Sequence, residues 1–81
     1  MTKEEFLNLK IGDIVLYREA TGTDGLNVFE AIDMVTSELI DEYCYGEMCF
    51  ETTVIQTNWK EEAGEKSKIW YGNHDKMIKL A

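Results

Sequence analysis

Proline is absent from this chain, and cysteine occurs only twice, as Cys44 and Cys49. Two cysteines are too few to hold a small secreted scaffold together with disulfides, so we interpret both as thiols of a reducing compartment. The stretch from Met1 to Lys10 contains Glu4 and Glu5 and no unbroken apolar run, so it does not resemble a secretory signal. These absences lead us to expect a cytoplasmic protein.

Long hydrophobic runs are also missing, because no apolar stretch approaches the roughly 18 residues that a membrane-spanning helix needs. Nevertheless 44% of the 81 residues are hydrophobic and 11% are aromatic, which is too apolar for a disordered chain despite its net charge of -8. A chain of this length can build one hydrophobic core but not two. The sequence therefore predicts a single small globular domain, residues 1–81, that does not bind membranes.

Lysine and arginine are absent from residues 21–58, although that segment contains eight acids. The acids of the segment are Asp24, Glu30, Asp33, Glu38, Asp41, Glu42, Glu47 and Glu51. Such a segment repels a phosphate backbone, so we expect no direct binding to nucleic acid. Two interpretations remain: an ordinary solvated surface that keeps a small protein soluble, or a negative patch that binds a basic partner.

The residues that support metal or covalent chemistry are scarce, since His74 is the single histidine. Cys44 and Cys49 are separated by four residues and His74 is remote, which does not match the paired spacing of zinc ligands. A Cys49–His74 nucleophile pair has no further support in the sequence. No phosphate-binding loop or nucleotide fingerprint is present. We expect no metal, no cofactor and no enzymatic activity.

Short sequence patterns predict most of the secondary structure. Thr2 followed by Glu5 is the capping pattern of a short N-terminal helix. Residues 13–19 and 48–58 are rich in the β-branched and aromatic residues that favour strands. Gly72 and Asn73 suit a tight turn, which predicts a terminal hairpin of residues 67–72 and 75–80.

The segment from Val28 to Ile40 fits two structures. As a helix, Asn27 and Glu30 form a capping pair, and Val28, Ile32, Val35 and Leu39 share one face. As a strand, Val28, Ile32 and Met34 lie on one side with Glu30, while the other side carries Phe29, Ala31, Asp33 and Val35. Both structures stay open at this point.

The order of these elements resembles the small SH3-like β-barrels of bacteria and phages. The resemblance is carried by the opening K-x-G-D-x-V pattern of Lys10 to Val15 and by the W-Y-G-N-x-D-x-x-I-K-L run of Trp70 to Leu80, and it covers residues 9–35 and 48–81. It implies an all-β fold, a five-stranded barrel after a short N-terminal helix, with strands at about 13–19, 27–35, 48–58, 67–72 and 75–80. Residues 36–47 depart from that pattern. The alternative is an α+β fold in which a helix at about 28–43 packs on an antiparallel sheet.

The acidic segment also supports a functional hypothesis. Tyr43 and Tyr45 lie among acids, and such a mixed surface suits the arginines of a partner. We therefore predict a non-enzymatic protein-interaction module, and one form of it is a phage or mobile-element inhibitor. Its carboxylates would replace phosphates on a basic, nucleic-acid-binding protein surface. The predicted partner-binding residues are Asp33, Glu38, Asp41, Glu42, Tyr43, Tyr45 and Glu47.

Two other functions compete with this hypothesis. The first is a structural or accessory barrel that forms a homo-oligomer through apolar positions such as Ile14, Leu16 and Met48. The second, which the charge of the middle segment disfavours, is nucleic-acid binding through a locally basic stretch. That stretch comprises Lys66, Lys68, Lys76 and Lys79.

Overall fold

The computed structural model describes residues 1–22, 27–43, 46–58 and 63–81, and for Glu42 and Tyr43 it describes the backbone alone. These residues form one short α-helix, six strands and a 3-10 helix. In chain order they are α1 (Lys3–Leu7), β1 (Ile14–Thr21), β2 (Asn27–Val35), β3 (Ile40–Tyr43), β4 (Glu47–Thr57), β5 (Lys66–Trp70), the 3-10 helix (Tyr71–Lys76) and β6 (Met77–Lys79). The all-β class with a short N-terminal helix is confirmed.

Helix α1 begins at the predicted capping box. The backbone N–H of Glu5 donates to the Thr2 hydroxyl over 3.1 Å, and the backbone N–H of Thr2 donates to the Glu5 carboxylate over 2.8 Å. Hydrogen bonding to the Glu5 carboxylate by the backbone N–H of Thr2, and then by the Thr2 side chain, lowers the pKa of Glu5. The cap sets the helix on the sheet so that Phe6 is completely buried.

The alternative helix at 28–43 is wrong, because residues 27–35 form strand β2 and residues 40–43 form strand β3. Strand β2 pairs antiparallel with β1 on one edge and with β4 on the other. Alternate residues Ala31, Asp33 and Val35 are buried. Pairing on both edges satisfies the backbone along most of β2, which outweighs the helical periodicity that the same residues also show.

All six strands belong to one antiparallel sheet, in which hydrogen-bonded neighbours follow the order β3-β4-β2-β1-β6 and β5 pairs with β4. Cys49 of β4 pairs with both Ile40 of β3 and Trp70 of β5, so β3 and β5 lie on opposite edges of β4. Thr52 likewise pairs with Val35 of β2 and with a residue of β5. Strands β2 and β3 therefore run along the same edge of β4, as one strand interrupted at residues 36–39.

The predicted terminal hairpin of residues 67–72 and 75–80 is wrong. Residues 71–76 form the 3-10 helix, and β6 pairs with β1 rather than with β5. A two-residue hairpin turn of the favoured type needs positive φ at both central positions. Asn73 has a φ of -105°, and the Gly72 N–H donates to the Glu47 carboxylate over 2.9 Å. The segment is thus held against β4 while the chain crosses to β1.

The hydrophobic core lies on the face of the sheet that α1 covers, which we call the inner face. We call this covered part the closed end, and its buried side chains are Phe6, Leu9, Val15, Val35, Phe50, Ile69 and Met77. The rings of Phe6 and Phe50 meet edge to face with centroids 5.2 Å apart. In the described part of the chain, no helix is long and apolar enough to cross a membrane.

Candidate functional site

The exposed acids of the middle segment lie on β3, on β4 and on the residues between β2 and β3. Glu38, Asp41, Glu47 and Glu51 are all exposed. We call residues 38–51 the acidic segment. Tyr45 and the side chains of Glu42 and Tyr43, which the sequence also predicts to bind a partner, lie outside the described residues.

Asp33 cannot belong to a surface patch, because its side chain points to the inner face and only 4% of the residue is exposed. The Thr52 hydroxyl donates a 2.6 Å hydrogen bond to Asp33 Oδ2. The interpretation of Asp33 as a surface acid is therefore corrected. The alternation of Phe29, Ala31, Asp33 and Val35 in the sequence already indicated this position, since every second residue of a strand shares a face.

Glu47 is exposed, and its carboxylate also contacts the backbone of Gly72. Its Oε1 accepts the 2.9 Å hydrogen bond from the Gly72 N–H and lies 2.6 Å from where a Cβ of residue 72 would be. A side chain at position 72 would therefore displace this carboxylate. Glu47 joins the acidic segment to the 3-10 helix.

Two of the residues weighed as zinc ligands or catalytic groups, Cys49 and His74, are within the described part of the chain. Cys49 is fully buried in β4, and His74 Nδ1 lies 2.9 Å from the backbone oxygen of Met1. Cys44 lies outside the described residues. Across the described ranges, no group of three or more His, Cys, Asp and Glu residues is placed to hold a metal ion.

Beyond the closed end, the inner face opens into a pocket of about 270 Å³, which we call the open end. It lies where β1, β2, β4 and β5 meet the 3-10 helix. Its lining includes the aromatic residues Tyr17, Phe29 and Trp70, the apolar residues Ala31, Val54 and Ile69, and the carboxylates of Glu19 and Asp33. Apolar walls with a few convergent polar groups are typical of binding sites for small groups.

At the rim of the open end, each carboxylate oxygen of Glu19 accepts a hydrogen bond. The Tyr17 hydroxyl donates to Glu19 Oε2 over 2.6 Å, and the Lys76 ammonium donates to Glu19 Oε1 over 3.1 Å. The Tyr17 hydrogen bond and the Lys76 ammonium lower the pKa of Glu19. Burial, and then the hydrogen bond to Glu19, raise the pKa of Tyr17 to about 12.

Asp33 is a more deeply buried residue of the same lining, and only one of its two carboxylate oxygens accepts a hydrogen bond. Its Oδ2 accepts from Thr52, whereas its Oδ1 is buried and has no hydrogen-bond partner among the described residues. Burial raises the pKa of Asp33, and the Thr52 hydrogen bond offsets part of that effect. A buried acceptor without a donor is rare in folded proteins, so this oxygen is the most unusual polar atom of the described chain.

The opposite face of the sheet, which we call the outer face, carries rows of apolar side chains. Leu16 pairs with Ile32 on one side and with Ile78 on the other, and Ile14 pairs with Met34. Ile78 is 59% exposed, and the other four are partly exposed. Two of the three positions predicted to mediate self-association therefore lie together, but Met48 is on the face of Phe50.

Two of the four lysines weighed for nucleic-acid binding are engaged by carboxylates. Lys76 pairs with Glu19 over 3.1 Å, and Lys79 Nζ lies 3.7 Å from Asp13. Lys68 lies opposite Glu51 in the pairing of β4 with β5. Acids thus accompany three of these lysines, which leaves little of the free positive charge that a phosphate backbone requires.

Comparison with known proteins found no matching family model, no matching curated protein and no matching solved structure.

Proposed function

We propose that this chain is a non-enzymatic interaction module that binds a basic surface of a partner protein through its acidic segment. The observation that carries the proposal is the exposure of Glu38, Asp41, Glu47 and Glu51 in a stretch that contains no lysine or arginine. Exposed carboxylates that outnumber the neighbouring cations produce a negative potential that attracts and orients a basic partner. Lys68 lies opposite Glu51, so Glu38, Asp41 and Glu47 contribute most of this potential. Protein surfaces that bind nucleic acid are basic, so the module would inhibit such a partner by occupying its nucleic-acid-binding surface.

The finer fold in this proposal is an SH3-like barrel. Strands β2 and β3 follow one edge of β4, so they count as one interrupted strand, and the sheet then has the five strands that the resemblance implies. The interruption falls within residues 36–47, the stretch that departs from the family pattern. The pairing of β6 with β1 also supports this proposal, while the sheet of the described strands is not closed.

The experiment that tests this function compares two charge-reversed variants in a capture assay. The first is Glu38→Lys with Asp41→Lys, which leaves Glu47 in contact with Gly72. Its matched control is Glu65→Lys with Asp75→Lys, which makes the same change in net charge at exposed positions elsewhere. Host lysate is passed over each immobilised protein at low and at moderate salt.

We expect wild type and the control variant to retain the same basic, nucleic-acid-binding protein and the first variant to lose it. The purified partner should then release its nucleic acid when wild type is added. Equal capture by both variants would remove the acidic segment from the proposal. Failure of wild type to compete with nucleic acid would remove the inhibitor role.

The apolar rows of the outer face favour a second candidate, self-association with another copy of this chain. The charges that border these rows include the Arg18–Glu30 pair, joined by a 3.0 Å salt bridge, and Asp75 and Lys76 beside Leu16 and Ile78, so opposite charges are balanced there. Two chains of net charge -8 can approach most closely through such a surface. Sedimentation at rising concentration tests this with Ile78→Glu, while Ile11→Glu serves as an equally exposed control. A wild type that remains monomeric would exclude it.

A further inference from the structure

The open end of the inner face contains a carboxylate whose bonding is incomplete. Asp33 is 4% exposed, and its Oδ2 is bonded to the Thr52 hydroxyl, but its Oδ1 has no donor in the described chain. An oxygen of this kind is stabilised when a bound group donates to it. Asp33 lines the pocket, but its Oδ1 is buried, so the carboxylate has to rotate toward the open side to accept from such a group.

The charges around the pocket indicate which donor is missing. Glu19 is balanced by the Lys76 ammonium and by the Tyr17 hydroxyl. Lys68 also lines the pocket, but in the strand register it lies opposite Glu51. Among the described residues, Asp33 forms no salt bridge with a lysine or an arginine. A cation is therefore the donor that would complete both its charge and its hydrogen bonding.

The walls of the pocket indicate what is attached to that cation. Ala31, Val54 and Ile69 offer an apolar surface along the way to Asp33, which suits an alkyl chain. Tyr17 and Phe29, whose ring centroids are 5.9 Å apart, and Trp70 add aromatic residues to the lining. A volume of about 270 Å³ holds one extended side chain rather than a large ligand.

We infer that the open end binds an alkylammonium group, with its nitrogen bonded to Asp33 Oδ1 and its carbon chain against Ala31, Val54 and Ile69. The lysine of a partner and a free polyamine both carry this group. The inference rests on residues of the inner face and does not depend on the acidic segment. The ammonium site can therefore be wrong while the proposed function is right, and the reverse.

The test is an NMR titration of the full chain with two neutral-backbone amides. N-acetyl-lysine amide carries the ammonium, and N-acetyl-norleucine amide has a similar chain without it. We expect the lysine compound to shift the backbone amide signals of Ala31, Val54 and Ile69 and to bind about tenfold more tightly, as a charged hydrogen bond allows. Equal binding of both compounds, or no shift of these signals by either, would overturn the inference.

The variant Asp33→Asn assigns the effect to the carboxylate, because it keeps the shape of the side chain and removes its charge. We expect it to lose the preference for the lysine compound, while Asp75→Asn, an exposed acid outside the lining, keeps it. A preference that survives Asp33→Asn would contradict the assignment. If that variant does not fold, the comparison of the two amides on wild type still decides.

Spermidine, titrated against the same signals, separates the two sources of the ammonium. Tighter binding of spermidine than of the lysine amide would support a free polyamine as the ligand. Tighter binding of the lysine amide would support a partner's side chain. Both results support an ammonium site, and neither requires the acidic segment.

Discussion

The two ends of the inner face are built from the same strands but have opposite character. At the closed end, Val15 and Val35 lie under Phe6 of α1 and are almost completely buried. At the open end, the same two strands contribute Tyr17, Ala31 and Asp33 to a pocket. Strand alternation supplies inward side chains to both ends, so the difference comes from the cover that α1 provides. A covered surface must be apolar, whereas an open one can keep polar groups for a ligand.

The largest expected effect is a difference in the free energy of unfolding between variants of the closed end and variants of the open end. Phe50→Ala at the closed end removes a fully buried ring that packs on Phe6, and we expect it to cost about 4 kcal/mol. Phe29→Ala at the open end removes a half-buried ring and should cost about 1 kcal/mol. Urea unfolding of both variants measures the difference. Similar losses would mean that the open end is as much a part of the core as the closed end.

Replacing Asp33 at the open end is expected to change how stability depends on pH. Burial raises the pKa of Asp33 above its ordinary 3.8. As pH rises past 3.8, the unfolded chain ionises first, so wild type loses stability until the pH exceeds the raised pKa of the folded state. Asp33→Asn removes this loss, because the amide does not titrate in this range.

The unfolding free energy of Asp33→Asn relative to wild type should therefore increase across that pH window. Tyr17, Glu19 and Lys68 line the same pocket, but they are present in both proteins and cancel in the difference. Urea unfolding below and above the window is the measurement. A difference that does not vary with pH would mean that Asp33 has the same pKa in the folded and unfolded chain.

Removing the cap of α1 should weaken the cover of the closed end. Thr2→Ala loses the hydroxyl that accepts from the Glu5 N–H, which costs about 1 kcal/mol. The pKa of Glu5 should also rise part of the way toward its ordinary value, because the variant loses the side-chain hydrogen bond from Thr2 and keeps the larger backbone one. Thermal unfolding and an NMR titration of Glu5 measure the two effects. Thr2→Ser keeps the hydroxyl, so a loss equal to that of Thr2→Ala would contradict a role for the cap.

The smallest expected effect concerns the rim of the open end. Tyr17→Phe removes the 2.6 Å hydrogen bond to Glu19, which keeps its Lys76 partner, so we expect a cost of about 0.5 kcal/mol. The pKa of Tyr17 is raised to about 12, so its stabilising effect is complete below pH 10 and disappears between pH 10 and about 12. Absorbance titration should show that the variant lacks this late-ionising tyrosine. If the tyrosine that the variant lacks ionises near pH 10 in the wild type, the contact is contradicted.

Local signals in the sequence predicted local structure well. The Thr2–Glu5 pattern placed α1, and the β-branched residues placed β4 near its observed bounds. The strand interpretation of residues 27–35 matches β2, but helical periodicity fitted the same residues, and pairing with β1 and β4 decided between them. Such pairing joins residues far apart in the chain, which a local pattern does not record.

The candidate site was harder to predict for the same reason. Acidic composition marked the acidic segment, but it also placed Asp33 on the surface, although its alternation with Ala31 and Val35 pointed inward. The Gly72–Asn73 pair predicted a tight hairpin turn, which is wrong because residues 71–76 form a 3-10 helix, and the pair could not show that β6 crosses to β1. The open end is formed by four strands and the 3-10 helix, so no single stretch of sequence reveals it.

The pairing of β6 with β1 joins nearly the whole length of the chain, since Leu16 lies opposite Ile78. During synthesis on a ribosome, β1 emerges well before β6, the strand that completes its second edge. Until then β1 presents an unpaired edge that can pair with other chains. The sheet therefore stays incomplete until residues 77–79 are available, and chains cut short before residue 77 should aggregate rather than accumulate as a folded fragment.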